Sequence, residues 1–317
     1  MKKFSFLLFI FLIGLVVFWY FDKPTFQSTP NPARSYEDAL AQFTAIEKNE
    51  ATLPLSPEGH SRLFVHGAKT EHVFVLLHGL SNCPEQDVAL GNILFNQGAN
   101  VIIPRARDAG FANVLNKEQG NQSGQDLLDQ AATGVDIAAG LGNHTTIIAI
   151  SASALAAAWM AQHRPGIDQV LLLSPFFAPY GKSVFVTNLL SSILLHLPNF
   201  YLWKDSQLKA AVPEPRYVYP RWGTYSLAST LALAREVRFF SEPIECKRLS
   251  ILISAADKTV NNHVTKKCMK KWSRENPEKV FYYEFPASLQ VPHDCLDAYS
   301  TDISTTIVYP QILKMLE

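Results

Sequence analysis

From Thr145 to Trp159 the chain reads as a strand, a sharp turn and a helix. Thr145 to Ile150 is a short apolar run, as expected of a strand covered on both faces. Ser151-Ala152-Ser153 breaks it, and the alanine-rich stretch to about His163 favours a helix. A turn of this kind lifts its polar side chains above the end of the sheet. Two serines flanked by small residues therefore stand where a strand ends, and the rest of the chain is constrained to build around that point.

The wider pattern agrees. Arg62 to Val65, His72 to Leu77, Asn100 to Pro104, Gln169 to Leu173, Leu249 to Ile253 and Lys279 to Phe285 read as further strands. Helical patterns begin near Ser35, Pro84, Ser123 and Thr301, where Ser35 and Ser123 can cap and Pro84 suits a first turn. This alternation predicts an α/β architecture, a mostly parallel sheet with helices on both faces. Residues 35–317 would form that domain. Between Pro175 and Cys246 no core strand is evident, and so long a structureless loop is improbable. The apolar runs Val184 to Leu197 and Phe200 to Trp203 predict a helical cap inserted at about 176–246. At 48% hydrophobic and 18% charged residues, the 317-residue chain can fill a core. Its formal net charge of zero argues against a nucleic-acid partner.

The N terminus carries a separate expectation. Phe4 to Phe21 is eighteen residues without a charge, about 27 Å as a helix. Lys2 and Lys3 precede it, which predicts a cytoplasmic N terminus. Phe18 to Phe21 is too bulky for a signal-peptide cleavage site. Residues 1–21 are thus expected to be a single-pass membrane anchor, with Trp19 and Tyr20 at the far interface. The proline-bearing segment 22–34 would be a linker, and the domain would be extracytoplasmic, periplasmic in a Gram-negative cell. Cys83, Cys246, Cys268 and Cys295 allow three pairings in an oxidising compartment, and no cysteine or histidine spacing suggests a metal.

Active sites in such sheets lie beyond the carboxyl ends of strands. Asp257 follows one strand and His293 the last, and both come after the serines. The order Ser, Asp, His suits a catalytic triad in which His293 is the base and Asp257 orients it. Ser151 is the better nucleophile. Its neighbours two positions away are Ala149 and Ser153, both small, whereas Ser153 would place Leu155 in the tight strand–helix packing. An oxyanion hole needs two N–H groups. Ala152, at the helix start, and Leu80, after His78-Gly79, are the candidates. His78 precedes the site and is expected to order its loop rather than act as the base.

These pieces resemble the serine α/β-hydrolases of the carboxylesterase, lysophospholipase and monoacylglycerol-lipase type. The resemblance rests on Leu76 to Pro84, Val101 to Arg105, Ile150 to Ser153, Ile251 to Asp257 and Pro292-His293, and covers roughly residues 60 to 317. It departs at the turn, where Ala149 and Ser153 replace both glycines of G-x-S-x-G, and at Arg105 to Gly110, which lacks the usual His-Gly pair. The resemblance implies hydrolysis of carboxylic esters through an acyl-enzyme, without a cofactor. An apolar cap near a bilayer would favour lipid-derived esters. The alternatives are a thioesterase or peptidase with the same triad, or a binding protein that keeps the fold without catalysis. Cys83 and Cys295 fall in loops that should converge at the site. A disulfide between them is one of the three pairings and a testable guess, which would leave Cys246 and Cys268 as a second pair. Lys266, Lys267, Lys270, Lys271 and Arg274 share a helical face, read as solvated.

Overall fold

A computed structural model of the chain describes residues 2–21, 24–205, 217–239, 243–297 and 302–317. In chain order its main elements are α1 (Lys2–Phe21), α2 (Tyr36–Glu50), β1 (Arg62–Phe64), β2 (Thr70–Leu77), α3 (Glu85–Asn96), β3 (Asn100–Ile103), α4 (Gly124–Leu141), β4 (Gly142–Ile150), α5 (Ser153–His163) and β5 (Gln169–Leu173). There follow α6 (Val184–Leu194), β6 (Tyr201–Trp203), β7 (Arg221–Gly223), α7 (Thr224–Phe239), β8 (Arg248–Ser254), α8 (Asn262–Glu275), β9 (Val280–Phe285) and α9 (Tyr309–Leu316). Seven strands form one sheet in the order β1-β3-β2-β4-β5-β8-β9. Every pairing in it is parallel except that of β1 with β3, so a single antiparallel strand closes one edge.

Strand β4 shows why the sheet sits in the middle. Its side chains alternate between faces. Ile147 and Ala149 join the core beneath α2, α4, α5, α7 and α8, and Ile148 and Ile150 the core beneath α3 and α9. All four are buried, which accounts for an unbroken apolar run. The helix starts follow the caps in the sequence. The Ser35 hydroxyl accepts from the Asp38 N–H, and Ser123 and Asp126 form a reciprocal capping box.

The segment between β5 and β8 holds α6, where the apolar run from Val184 predicts a helix, and α7, which no apolar run announced. The second apolar run, Phe200 to Trp203, holds the strand β6 rather than a helix. The segment thus has an antiparallel ribbon of β6 and β7, pairing Tyr201 with Gly223 and Trp203 with Arg221. Residues 206–216, between the two ribbon strands, lie outside the described residues. The stretch 24–34, read as a linker, lies along α4. Asp136 accepts from the N–H groups of Asn31 and Ala33, through its carboxylate and its carbonyl respectively. Phe26 and Ala33 are buried there.

The expected membrane anchor is corrected. Among the described residues no helix is long and apolar enough to cross a membrane. The single-pass topology, the membrane partner and the extracytoplasmic placement that rested on it therefore fall. Residues Lys2–Phe21 are helical, but several side chains within them, Lys2, Lys3, Trp19 and Tyr20 included, lie outside the described residues. Phe18 turns its ring edge-on to His196 just beyond α6, with centroids 5.1 Å apart, so α1 meets protein at that point. The candidate disulfides are not formed. All four cysteines are free and buried. The Cys83 thiol is directed instead to the Glu58 carbonyl, at 3.3 Å, and that of Cys246 to the Arg248 carbonyl, at 3.5 Å. Convergence of two loops does not bring two sulfur atoms into bonding geometry, which is narrow.

Candidate active site

Ser151 follows the last residue of β4 and has φ of 59°, in the left-handed region that costs a non-glycine residue about 1–2 kcal/mol. The end of β5 holds it there. The Ser151 N–H donates to the Leu173 carbonyl at 2.9 Å, and its carbonyl accepts from the Phe176 N–H at 3.0 Å. The turn tolerates the absence of both flanking glycines. Ala149 and Ser153 are fully buried without displacing it, and the Ser153 hydroxyl donates to the His78 carbonyl at 2.5 Å. Ser153 is therefore a strut between the turn and the β2–α3 loop.

Three side chains from three loops meet above the sheet. His293 Nε2 lies 2.8 Å from Ser151 Oγ, and His293 Nδ1 lies 2.7 Å from Asp257 Oδ2. With Nδ1–H donated to the carboxylate, Nε2 is left to take the serine proton. The Asp257 side chain is fully buried. Burial pushes its pKa up, but the hydrogen bond and charge of His293 and the N–H groups of Thr259 and Val260 outweigh that and hold it below the usual value. The loop carrying His293 is fastened by Ser254 at the end of β8, whose hydroxyl donates to the Val291 carbonyl at 2.7 Å.

His78 is buried outside this constellation. Its Nε2 accepts from the Ala106 N–H at 3.1 Å, so Nδ1 carries the proton and donates to the Gly79 carbonyl at 3.0 Å. Burial pulls its pKa down to about 4, and the ring stays neutral. It orders the loop, as its position in the chain suggests. Sequence reading did not find the bracing of the Gly79-Leu80 segment. The Gly79 N–H donates to Gln86 Oε1 at 2.8 Å, and Gln86 Nε2 donates to Asp294 Oδ1 at 2.5 Å. Asn82 Nδ2 donates to the other oxygen of Asp294 at 3.2 Å. The only signal for it in sequence is that Asp294 directly follows His293.

Ser151, Ala152, His293 and Leu80 line a cavity of about 700 Å³, together with Leu202, Trp203, Trp222 and Leu227 from the segment between β5 and β8. Lys204 lines it too and is exposed. A second cavity of similar volume lies between α2 and α4 and contains none of the triad.

No protein-family model and no curated protein sequence matches the chain. Solved structures do. A metagenome-derived lipolytic enzyme superposes with a TM-score of 0.62 at 12% identity, over 82% of this chain and 98% of the other. The monoacylglycerol lipase of Paleococcus ferrophilus gives 0.60 at 16% identity, over 81% and 97%. A soluble variant of the monoglyceride lipase of Saccharomyces cerevisiae gives 0.58 at 12%, over 81% and 90%. This chain has the α/β-hydrolase fold. Ser151, His293 and Asp257 stand on it in a hydrogen-bonded series that has the arrangement of a serine-hydrolase triad.

Proposed function

We propose that the chain hydrolyses carboxylic esters with an apolar acyl or alcohol part through an acyl-enzyme at Ser151. The carrying observation is the unbroken series from Asp257 through His293 to Ser151, opening into the cavity. Ser151 Oγ attacks the ester carbonyl while His293 Nε2 takes its proton. The tetrahedral intermediate collapses, the acyl–serine bond remains, and the leaving alcohol receives that proton from His293. A water then repeats the sequence, releasing the acid and restoring the hydroxyl.

The N–H groups of Leu80 and Ala152 are the proposed oxyanion donors. Both residues line the cavity beside Ser151, and among the described residues neither N–H donates to a protein acceptor. Ala152 precedes the first turn of α5, where backbone dipoles favour negative charge. The cap, proposed as residues 176–246 of a domain spanning 35–317, sets the substrate. Its tryptophans and leucines give the cavity an apolar wall, and the structural neighbours are themselves described as lipolytic or glyceride lipases.

Fluorophosphonate labelling tests the nucleophile. The intact protein should label and Ser151→Ala should not. A series of p-nitrophenyl esters tests the substrate, with kcat/KM expected to rise from acetate to octanoate. Absence of labelling would leave a non-catalytic protein with this fold, and labelling that survives Ser151→Ala would defeat the assignment of Ser151 as the nucleophile. A preference for acetate would remove the apolar acyl part, and turnover of thioesters or amides in preference to esters would reassign the substrate class.

A further inference from the structure

Lys204 is out of keeping with its surroundings. It ends an apolar run, Phe200 to Trp203, and stands just past the β6 strand, where its N–H donates to the Pro220 carbonyl at 2.9 Å. It lines the catalytic cavity. Its Nζ lies 5.5 Å from the centre of the Trp222 ring, which is part of the cavity wall.

An ammonium carries three donors. Lys204 is exposed, so its ammonium is open to whatever enters the cavity. Among the described residues it has no ion pair and no side-chain hydrogen bond, and the ring of Trp222 is its protein neighbour. Asp294 is the carboxylate in the cavity wall, but both its oxygens are engaged, one by Gln86 and one by Asn82. An unpaired positive charge held by a hairpin in the wall of the catalytic cavity is suited to pairing with an anion that enters it.

We propose that Lys204 forms an anion subsite in the catalytic cavity, so that the preferred substrate is an ester bearing a second group that is anionic, a carboxylate or a phosphate. This rests on the ester-hydrolase reading and narrows it. The substrate is then an amphiphile: an apolar body against Trp203, Trp222 and Leu227, and a charged group at Lys204.

The test compares matched esters. One pair is the mono-p-nitrophenyl ester of adipic acid against its methyl-capped neutral form. The other is an octanoylglycerol phosphate against octanoylglycerol, read by released octanoate. Wild-type kcat/KM should favour the charged member of at least one pair by roughly tenfold or more, the scale of a charge-assisted hydrogen bond. Preference in the first pair places the anion on the acyl side, and in the second on the alcohol side. Lys204→Met and Lys204→Gln should bring that ratio toward one, while Lys204→Arg keeps most of it. The idea is overturned if wild type shows no preference in either pair while Ser151 still labels with fluorophosphonate. It is also overturned if both neutral variants keep the wild-type ratio, which would leave Lys204 a purely structural part of the hairpin. If Ser151 does not label at all, the hydrolase reading fails first and the subsite falls with it.

Discussion

Ser153 stands where many nucleophile turns have glycine, and its hydroxyl makes use of the space. By donating to the His78 carbonyl it ties the nucleophile turn to the loop that offers the Leu80 N–H. Ser153→Ala should cost about 1 kcal/mol of stability. It should also lower kcat about tenfold with little change in KM, because a displaced oxyanion donor acts on the transition state. Steady-state kinetics beside urea denaturation would show this, and an unchanged kcat would confine Ser153 to packing. Asp257→Asn should lower kcat by about 10⁴-fold through the wrong histidine tautomer. The same carboxylate is linked to pH. Its folded pKa lies below the ordinary 3.8, so it contributes stability above that pH and loses it as pH falls through the depressed value. The stability advantage of wild type over Asp257→Asn should therefore narrow below about pH 4, as followed by urea midpoints.

At the scale of elements, α3 contains a cost that the site imposes. Asp87 is buried in its first turn, and among the described residues neither carboxylate oxygen has a hydrogen-bond partner. Burial raises its pKa well above 3.8, and the nearby charges of Asp294 and Asp297 add to that. The folded state thus keeps a proton that the unfolded chain releases above pH 3.8, and stability falls as pH rises through that window. Asp87→Asn should remove this dependence and raise stability at neutral pH by roughly 1–3 kcal/mol. The gain should be smaller at pH 4 than at pH 7.5, and a variant less stable than wild type at pH 7.5 would contradict the assignment. The cap illustrates the limit of local patterns. Helix α6 was legible from its apolar residues, and α7 was not. Nor was the β6–β7 ribbon, since each strand has three residues and finds its partner across the 206–216 segment.

Over the whole molecule, seven strands deliver three loops to one point, and no covalent link is needed to hold them. Buried thiols in hydrophobic surroundings have raised pKa values, that of Cys83 reaching about 12, and are poor candidates for oxidation. Dithiothreitol should leave the melting temperature unchanged, and thiol titration of the denatured, unreduced protein should find all four cysteines free. A melting temperature lowered by reductant would restore the disulfide expectation. The sequence alone determined the sheet, because six of its seven strands are apolar runs bounded by turn residues. It also singled out Ser151, Asp257 and His293 as candidates, because each follows such a run in an order that catalysis can use, and the fold brings the three into one hydrogen-bonded series. The brace from Gly79 through Gln86 to Asp294 spans 208 residues between its two side chains and has no local signature. The same holds for the free state of the thiols, the protein contact of Phe18 and the exposure of Lys204 to the cavity. Those depend on distances and directions between segments far apart in the chain, which hydrophobic periodicity does not encode and only the packed structure supplies.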